Sequence, residues 1–336
     1  MPGIIERFRD RLPFTADDPV VSLEEGSTPL VLAPRISERA GTEVWLKVEG
    51  ANPTGSFKDR GMTCAVSAAV REGAEAIVCA STGNTAASAA AYASRGGLRC
   101  AVIVPEGKIA TGKLAQALIH GARVIALRSN FDRALALVRE LVRDHPISLV
   151  NSVNEFRIEG QKTAAFEVAE ALDELDALCI PVGNAGNITA YWRGFRELGM
   201  RPRMLGFQAA GAAPLVEGHP IEHPETVASA IRIGRPARWE DAMEAMTNSG
   251  GTVRAVTDAQ ILDSYRLLAA SEGIFCEPAS AASVAGLLAH GAGDARRVVC
   301  VLTGHGLKDS QLALEQVGAV IPCDPELAAI EEAVLG

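Results

Sequence analysis

The chain has 336 residues, 48% of them hydrophobic and 22% charged, which is the mix of a folded globular protein and excludes a disordered one. At that length two cores are expected rather than one. Basic residues number 32 against 41 acidic, a net charge of −9, and no Lys/Arg cluster gives the footprint of a nucleic-acid partner.

Residues 1–14 carry Glu6, Arg7, Arg9, Asp10 and Arg11 without an apolar run, so they do not read as a signal peptide. From Lys58 on, helical and strand patterns alternate. Met62, Ala65, Val66, Ala69 and Val70 line one face of a helix that Gly73 closes. A buried strand over 76–80 follows, then a Ser-Thr-Gly-Asn turn and an Ala-rich helix ending near Gly96. The stretch 85–94 within it is the most apolar of the chain and too short to span a membrane. Next come a strand over 99–104, a helix over 113–120 stopped by Gly121, a strand over 123–127, a helix over 131–143 and a strand over 147–150.

A second series has a helix over 160–172, a strand over 178–182, a helix over 188–198 and a strand over 204–208. The stretch 210–251, rich in Gly and Pro, is expected to wind over the surface. The pattern resumes with a helix over 258–271, a short segment 274–276, a helix over 279–290 and a strand over 297–302. Such alternation predicts an α/β fold of two lobes, each a mostly parallel twisted sheet with helices on both faces. The expected division is 51–149 as the smaller lobe, and 1–50 plus 150–336 as the larger. The seven cysteines, at 64, 79, 100, 179, 276, 300 and 323, form no CxxC and read as reduced residues of a cytoplasmic protein, most of them in the core.

In folds of this kind ligands bind beyond the carboxyl ends of the strands. Three polar turns stand there: Ser81-Thr-Gly-Asn-Thr85, Gly183-Asn-Ala-Gly-Asn187 and Thr303-Gly-His-Gly306. Any one of them alone could simply end a strand and cap a helix. The second has two glycines and two asparagines opening a helix, where backbone N–H groups converge on an anion, with phosphate the natural guest. A rival stretch, Gly107-Lys-Ile-Ala-Thr-Gly112-Lys113-Leu114, matches GxxxxGK but ends in Leu114 where Ser or Thr should hold magnesium, and it reads as a decoy for a nucleotide-binding protein. His219-x-x-x-His223 has ligand-like spacing but lies in a Pro-containing stretch without a nearby Cys, so no metal is expected. No GxSxG elbow and no strand followed by GxGxxG is present, which disfavours hydrolase and hydride chemistry.

The segment Asn52-Pro-Thr-Gly-Ser-Phe-Lys58-Asp-Arg60 resembles the lysine-bearing motif of the fold-type-II pyridoxal phosphate (PLP) enzymes. Away from that motif, a Lys at a helix start is usually a solvated surface residue. Here Lys58 follows Pro, two small residues and Phe57, and opens a helix whose next turn is apolar. Partial desolvation there favours the neutral amine that a Schiff base needs. The resemblance implies that Asn84 bonds the cofactor's ring hydroxyl, that Gly183, Asn184, Ala185, Gly186 and Asn187 cradle its phosphate, and that Thr303 faces its pyridine nitrogen.

Within that group the chain resembles the short threonine synthases, from Glu25-Gly-Ser-Thr-Pro29 to Gly304-His-Gly-Leu-Lys308-Asp309. The segment Asn151-Ser-Val-Asn-Glu-Phe-Arg157-Ile-Glu-Gly-Gln-Lys-Thr163 carries the resemblance furthest. It implies that Asn151, Ser152, Arg157 and Thr85 bind a substrate phosphate, and that Ser81 and Thr82, with Asn84, receive the substrate α-carboxylate. The implied reaction turns O-phospho-L-homoserine and water into L-threonine and phosphate, the last step of threonine biosynthesis, in a cytoplasmic homodimer. Two positions depart from the family pattern: Glu155 replaces a usual Pro, and His305 a usual Asn. A threonine or serine dehydratase is the alternative. It would need Lys58 and Asn84 but has no use for a second phosphate site.

Overall fold

A computed structural model describes all residues except 107–110, 129, 130, 319 and 336. The chain opens with α1 (Ile4–Arg7), β1 (Leu30–Leu32), α2 (Pro34–Ala40) and β2 (Glu43–Val48). Alternation follows through α3 (Lys58–Arg71), β3 (Ala76–Ala80), α4 (Asn84–Arg95), β4 (Arg99–Pro105), α5 (Thr111–Ile119), β5 (Arg123–Leu127), α6 (Phe131–Asp144) and β6 (Ile147–Leu149). The second series is α7 (Glu155–Ala171), β7 (Ala177–Pro181), α8 (Gly186–Glu197), β8 (Arg203–Ala209), α9 (Pro214–Glu217), α10 (Trp239–Ser249), β9 (Thr252–Val256), α11 (Asp258–Glu272), α12 (Pro278–His290) and β10 (Arg297–Leu302). Two helices close the chain, α13 (Ser310–Glu315) and α14 (Leu327–Leu335).

The strands form two sheets, one ordered β1-β2-β10-β7-β8-β9 and one ordered β5-β4-β3-β6. Every pairing is parallel except that of β1 with β2. Each sheet reverses its strand order once, between β3 and β6 in the smaller and between β7 and β10 in the larger. A crevice opens at such a reversal, because the connections on its two sides leave in opposite directions. The turns after β3, β6, β7 and β10 are therefore the ones that the topology places at crevices. They are the turns that carry the candidate residues.

Apolar side chains cover both faces of the larger sheet. One core gathers Ile36, Leu46, Phe207, Ile261 and Leu302, and another gathers Leu178, Ile180, Tyr191, Phe195 and Val301. In the smaller sheet Met62, Val66, Ile77, Tyr92, Val102 and Leu114 pack together. Residues 86–93 of α4 are all buried, which an Ala-rich helix tolerates because small side chains let its neighbours close in from every side.

Beyond strands that the sequence reading left unassigned, such as β2 and β9, two features differ from it. The stretch 210–251 does not merely wind over the surface: it holds α9 and α10, and Ala212, Ala213, Ala228, Ile231, Ala242 and Met246 are buried. Its backbone groups are met by bonds such as Glu225 N–H to Gly211 O at 2.9 Å and Ile221 N–H to Gly234 O at 2.9 Å, so an irregular segment can sit against the core. The helix expected from 160 begins at Glu155 instead, because Asn154 caps it by accepting the N–H of Phe156 at 3.0 Å. That cap places Arg157 in the first turn of α7. Of the GxxxxGK stretch, 107–110 lie outside the described residues.

Candidate active site

Lys58 is the first residue of α3, and its position follows from how that helix is mounted. Gly160 of α7 meets α3 so closely that a Cβ there would lie 1.9 Å from the carbonyl oxygen of Arg60, and a Cβ on Gly61 would lie 2.8 Å from that of Arg157. Glycine alone lets the two backbones touch. Beside this contact Arg60, wholly buried, bonds Glu49 at 2.7 Å and Glu167 at 2.6 Å, while Lys47 bonds Glu167 at 2.7 Å. Two cations and two anions balance, so the burial of each is compensated. The cluster fixes the start of α3 to α7 and β2.

The loop before Lys58 is tied down from within. Asp59 accepts the Thr54 N–H at 2.7 Å and the hydroxyls of Thr54 and Ser88, each at 2.6 Å. Burial nevertheless pushes Asp59 up to about 6, against those hydrogen bonds. The loop is also laced to the turn after β10: Phe57 N–H donates to Thr303 O at 3.0 Å, and His305 N–H to Gly55 O at 2.9 Å. That turn is laced in its own right to the segment before α12, where Glu277 N–H donates to Gly304 O at 2.9 Å. Lys58, Thr303 and Glu277 are thereby gathered by backbone hydrogen bonds into one place.

Lys58 is half-buried, with its ammonium 4.1 Å from the centre of the Phe57 ring. Protein atoms crowd the amine. This burial, aided by the Arg157 guanidinium and opposed by Glu277, pulls Lys58 down to about 7. A large neutral fraction near pH 7 is what a nucleophilic amine requires.

Asn84 opens α4 and donates from Nδ2 to Glu277 Oε2 at 2.9 Å, while the Thr303 hydroxyl oxygen lies in hydrogen-bond contact with Glu277 Oε1 at 3.1 Å. Glu277 thus joins two residues to which the resemblance gives cofactor roles. Its significance was missed in the sequence, where Cys276-Glu277-Pro278 reads as an ordinary helix start; Pro at the first helical position was its only local signal. At the start of α8, Ala185 takes a left-handed conformation with φ 67° and turns the chain at the cradle. Gly183, Asn184 and Gly186 surround it, all three half-buried. Asn187 is buried, and its Nδ2 has no hydrogen-bond partner. An unpaired buried donor at a helix N-terminus fits the phosphate of PLP.

The residues expected at the second anion site also assemble. Arg157 is 1% exposed, donates to Val150 O at 3.2 Å, and leaves its Nε without a partner. Among the described residues no carboxylate forms an ion pair with it, and burial draws it down to about 10. Asn151, half-buried, pairs with the main chain of Ala80 through both amide atoms, at 2.9 and 3.0 Å, which leaves one amide hydrogen for another acceptor. Ser81, Thr82, Thr85 and Ser152 are half-buried in the turns after β3 and β6. Arg238, another residue the sequence did not flag, links the turns: its backbone N–H reaches Asn184 O at 3.2 Å and its Nε reaches Ser152 O at 3.4 Å.

The two departures find local explanations. Glu155 is paired with Arg238 and Arg193, so its charge is met on the outer side of α7. His305 accepts the Leu307 N–H at Nδ1 over 3.2 Å, a cap that an Asn oxygen also provides. His219 lies exposed against Pro220 O, and among the described residues no group of three His, Cys, Asp or Glu side chains could hold a metal ion.

The sequence matches the family described as "Pyridoxal-phosphate dependent enzyme" over residues 21–304. It is 57% identical to a threonine synthase of Synechocystis, covering 99% of this chain and 90% of that one. Identity is 57% to a threonine synthase of Mycobacterium leprae, over 98% and 95% of the two chains. A threonine synthase of Methanocaldococcus jannaschii is 49% identical over 92% of this chain and 81% of the relative. Among solved structures, maize serine racemase shares the fold with a TM-score of 0.77 at 20% identity, over 86% of this chain and 91% of that one. The processed form of a threonine deaminase from Solanum lycopersicum gives a TM-score of 0.74 at 22% identity, over 88% and 89%.

Proposed function

The chain belongs to the threonine synthase family of pyridoxal-phosphate dependent enzymes, and on that footing we propose that it converts O-phospho-L-homoserine and water into L-threonine and phosphate. One observation carries the choice of substrate. Arg157 is a buried guanidinium with no carboxylate partner among the described residues, set close enough to Lys58 to depress its basicity. An uncompensated cation beside the reacting centre calls for an anion on the substrate, and a guanidinium holds phosphate through several charge-assisted bonds. A dehydratase acting on threonine or serine has no group to place there.

The residues divide the work. Lys58 would hold the cofactor through its amine, Asn84 and Thr303 would meet its ring, and the turn Gly183, Asn184, Ala185, Gly186 and Asn187 would take its phosphate at the N-terminus of α8. When bound, PLP supplies the electron sink for carbanion character along the substrate chain. Ser81 and Thr82, with Asn84, orient the α-carboxylate. Arg157, Asn151, Ser152 and Thr85 grip the phosphate and stabilise the charge that builds on it as the Cγ–O bond breaks. Lys58 Nζ, held near neutrality, takes protons from Cα and Cβ, returns one to Cγ once phosphate has left it, and restores the proton at Cα after water adds at Cβ.

The smaller lobe in this reading is 51–149, the larger 1–50 with 150–336, and closure of one on the other shields the site from stray water. Val31 and Leu32 on the edge strand β1 and Leu314 on α13 are exposed apolar residues that suit a second copy, so a homodimer is the expected assembly. The seven free thiols, six of them buried, suit the reducing cytoplasm. No helix among the described residues is long and apolar enough to cross a membrane.

Incubating the purified protein, reconstituted with PLP, with O-phospho-L-homoserine should release phosphate and threonine in equal amounts. Faster release of ammonia from threonine than of phosphate from phosphohomoserine would sink this assignment in favour of a dehydratase.

A further inference from the structure

Glu277 has no role in the scheme above, yet it occupies the centre of the ring site. Its side chain is buried, with one oxygen on Asn84 and the other on Thr303. Its closeness also accounts for a glycine at 304, where a Cβ would lie 2.6 Å from the carboxyl carbon of Glu277. The backbone has been stripped to let this carboxyl reach Thr303.

Thr303 has a single hydroxyl proton and two polar side chains around it, Glu277 Oε1 at 3.1 Å and Ser280 Oγ at 2.9 Å. Ser280 Oγ already accepts the Gly304 N–H at 2.9 Å. An ionised carboxylate only accepts hydrogen bonds, so it would take the proton of Thr303 and leave only lone pairs for a ring nitrogen. A neutral acid behaves oppositely. Asn84 donates to Oε2, so the proton of a neutral Glu277 sits on Oε1, and from there it donates to Thr303. The threonine proton is then free for the ring.

We propose that Glu277 is a positioning residue that works as a neutral acid, its proton on Oε1 turning the Thr303 hydroxyl into a donor toward an unprotonated ring nitrogen of the cofactor. The inference rests on the reading of Thr303 as the partner of that nitrogen. Burial pushes Glu277 above the usual carboxylate range, in the direction required, against the bonds from Asn84 and Thr303 and the charges of Lys308 and Lys58. Cys276, the other titratable neighbour, is itself raised by burial and stays a neutral thiol.

The discriminating substitution is Glu277→Gln. Its amide oxygen accepts from Asn84 and its NH2 donates to Thr303, which copies the neutral acid and not the carboxylate. With the ring nitrogen of PLP labelled by nitrogen-15, the holoprotein should show an unprotonated, hydrogen-bonded nitrogen in wild type and in Glu277→Gln. Glu277→Gln should bind PLP within about twofold of wild type, and Glu277→Ala about tenfold more weakly, the cost of leaving the Asn84 amide and the Thr303 hydroxyl without their shared partner. A protonated ring nitrogen in wild type overturns the proposal. So does a Gln variant as weak as Ala, with thermal unfolding showing both folded. If wild type takes up no PLP at all, the reading of the cofactor site falls first and takes this one with it. If PLP binds and loss of the Thr303 hydroxyl in Thr303→Val leaves the nitrogen signal unmoved, the role given to Thr303 is at fault.

Discussion

Replacing Arg157 with methionine separates binding from stability in opposite directions. The fall of the guanidinium from its usual 12.5 to about 10 corresponds to about 3 kcal/mol of unfavourable burial for the charged form. Methionine fills similar space without charge. It forfeits the bond to Val150 O, worth about 1 kcal/mol, so the protein without ligand should gain about 2 kcal/mol. Substrate affinity should move the other way. Two charge-assisted bonds to a phosphate are worth about 3 kcal/mol together after water refills the site, which is a rise in KM of about a hundredfold. Denaturant midpoints should be read on protein loaded with PLP, so that the cradle at α8 is filled, with and without millimolar inorganic phosphate, beside steady-state kinetics on O-phospho-L-homoserine. Wild type should be stabilised by phosphate, and Arg157→Met should be more stable at the outset and indifferent to it. A variant that is less stable than wild type and keeps its KM would show that Arg157 is a structural cation, and the second anion site would be lost.

Three more outcomes follow from the same geometry. The rate at which PLP is captured by the protein stripped of it should rise with pH through about 7, because burial and Arg157 hold the Lys58 amine there. A rate that climbs only toward about pH 10, followed by visible absorbance, would refute that electrostatic account. Burial raises Glu167, but Arg60 and Lys47 more than reverse this and hold it well below its usual 4.5, so its stabilisation is present above that pH and lost as pH falls below it. Glu167→Gln should cost about 3–5 kcal/mol at neutral pH by stranding one buried cation, and acid denaturation curves should lose part of their slope. Gly160→Ala should cost about 3 kcal/mol or more, since its methyl would press within 1.9 Å of Arg60 O. Because it parts α3 from α7, it should also lower turnover, and a variant with wild-type melting and rate would dismiss that contact as a mount for Lys58.

The alternating core of the fold was legible because its strands are short apolar runs and its helices are closed by glycines such as Gly73 and Gly121, both at positive φ. The turns were legible because Ser, Thr, Gly and Asn crowd the ends of those strands. What stayed hidden has a common cause. The sequence reading assigns β2 no element because it interleaves Glu43 and Lys47 with apolar residues, and Lys47 is buried only by virtue of Glu167, 120 positions away. Likewise α10 hides behind a Gly/Pro-rich stretch, and its buried Ala242, Ala245 and Met246 are too few to set a period. Glu277 escaped notice because a single carboxyl before a proline says nothing until Asn84, 193 positions away, is laid against it. Periodicity is local, whereas partnership is not.

Partnership is also where the site departs from the rest of the fold. The described ionisable groups around the reacting centre are the cations Lys58, Lys308 and Arg157 with the acids Asp59 and Glu277, both acids raised by burial and Glu277 neutral in the proposal above, and Lys308 also reaches Gln116 of α5, beside the smaller sheet. By contrast the buried quartet of Arg60, Lys47, Glu49 and Glu167, beginning two residues beyond Lys58, is balanced. The imbalance therefore does not come from careless burial of charge in general. It is confined to the cleft, where two anionic groups, the phosphate of the cofactor at α8 and that of the substrate at Arg157, would supply what is missing. A cation left unpaired in a crevice stores unfavourable electrostatic energy until its ligand arrives, and the fold can hold it there because α3 and α7 are locked together elsewhere. Binding should accordingly be coupled: PLP brings its own phosphate into the cleft and so offsets part of the positive charge there, yet the substrate phosphate remains the one group able to neutralise Arg157 itself. Inorganic phosphate should thus bind the protein loaded with PLP no more tightly than the protein without it. Tighter binding after loading would mean that closure of the lobes, and not charge, governs the second site.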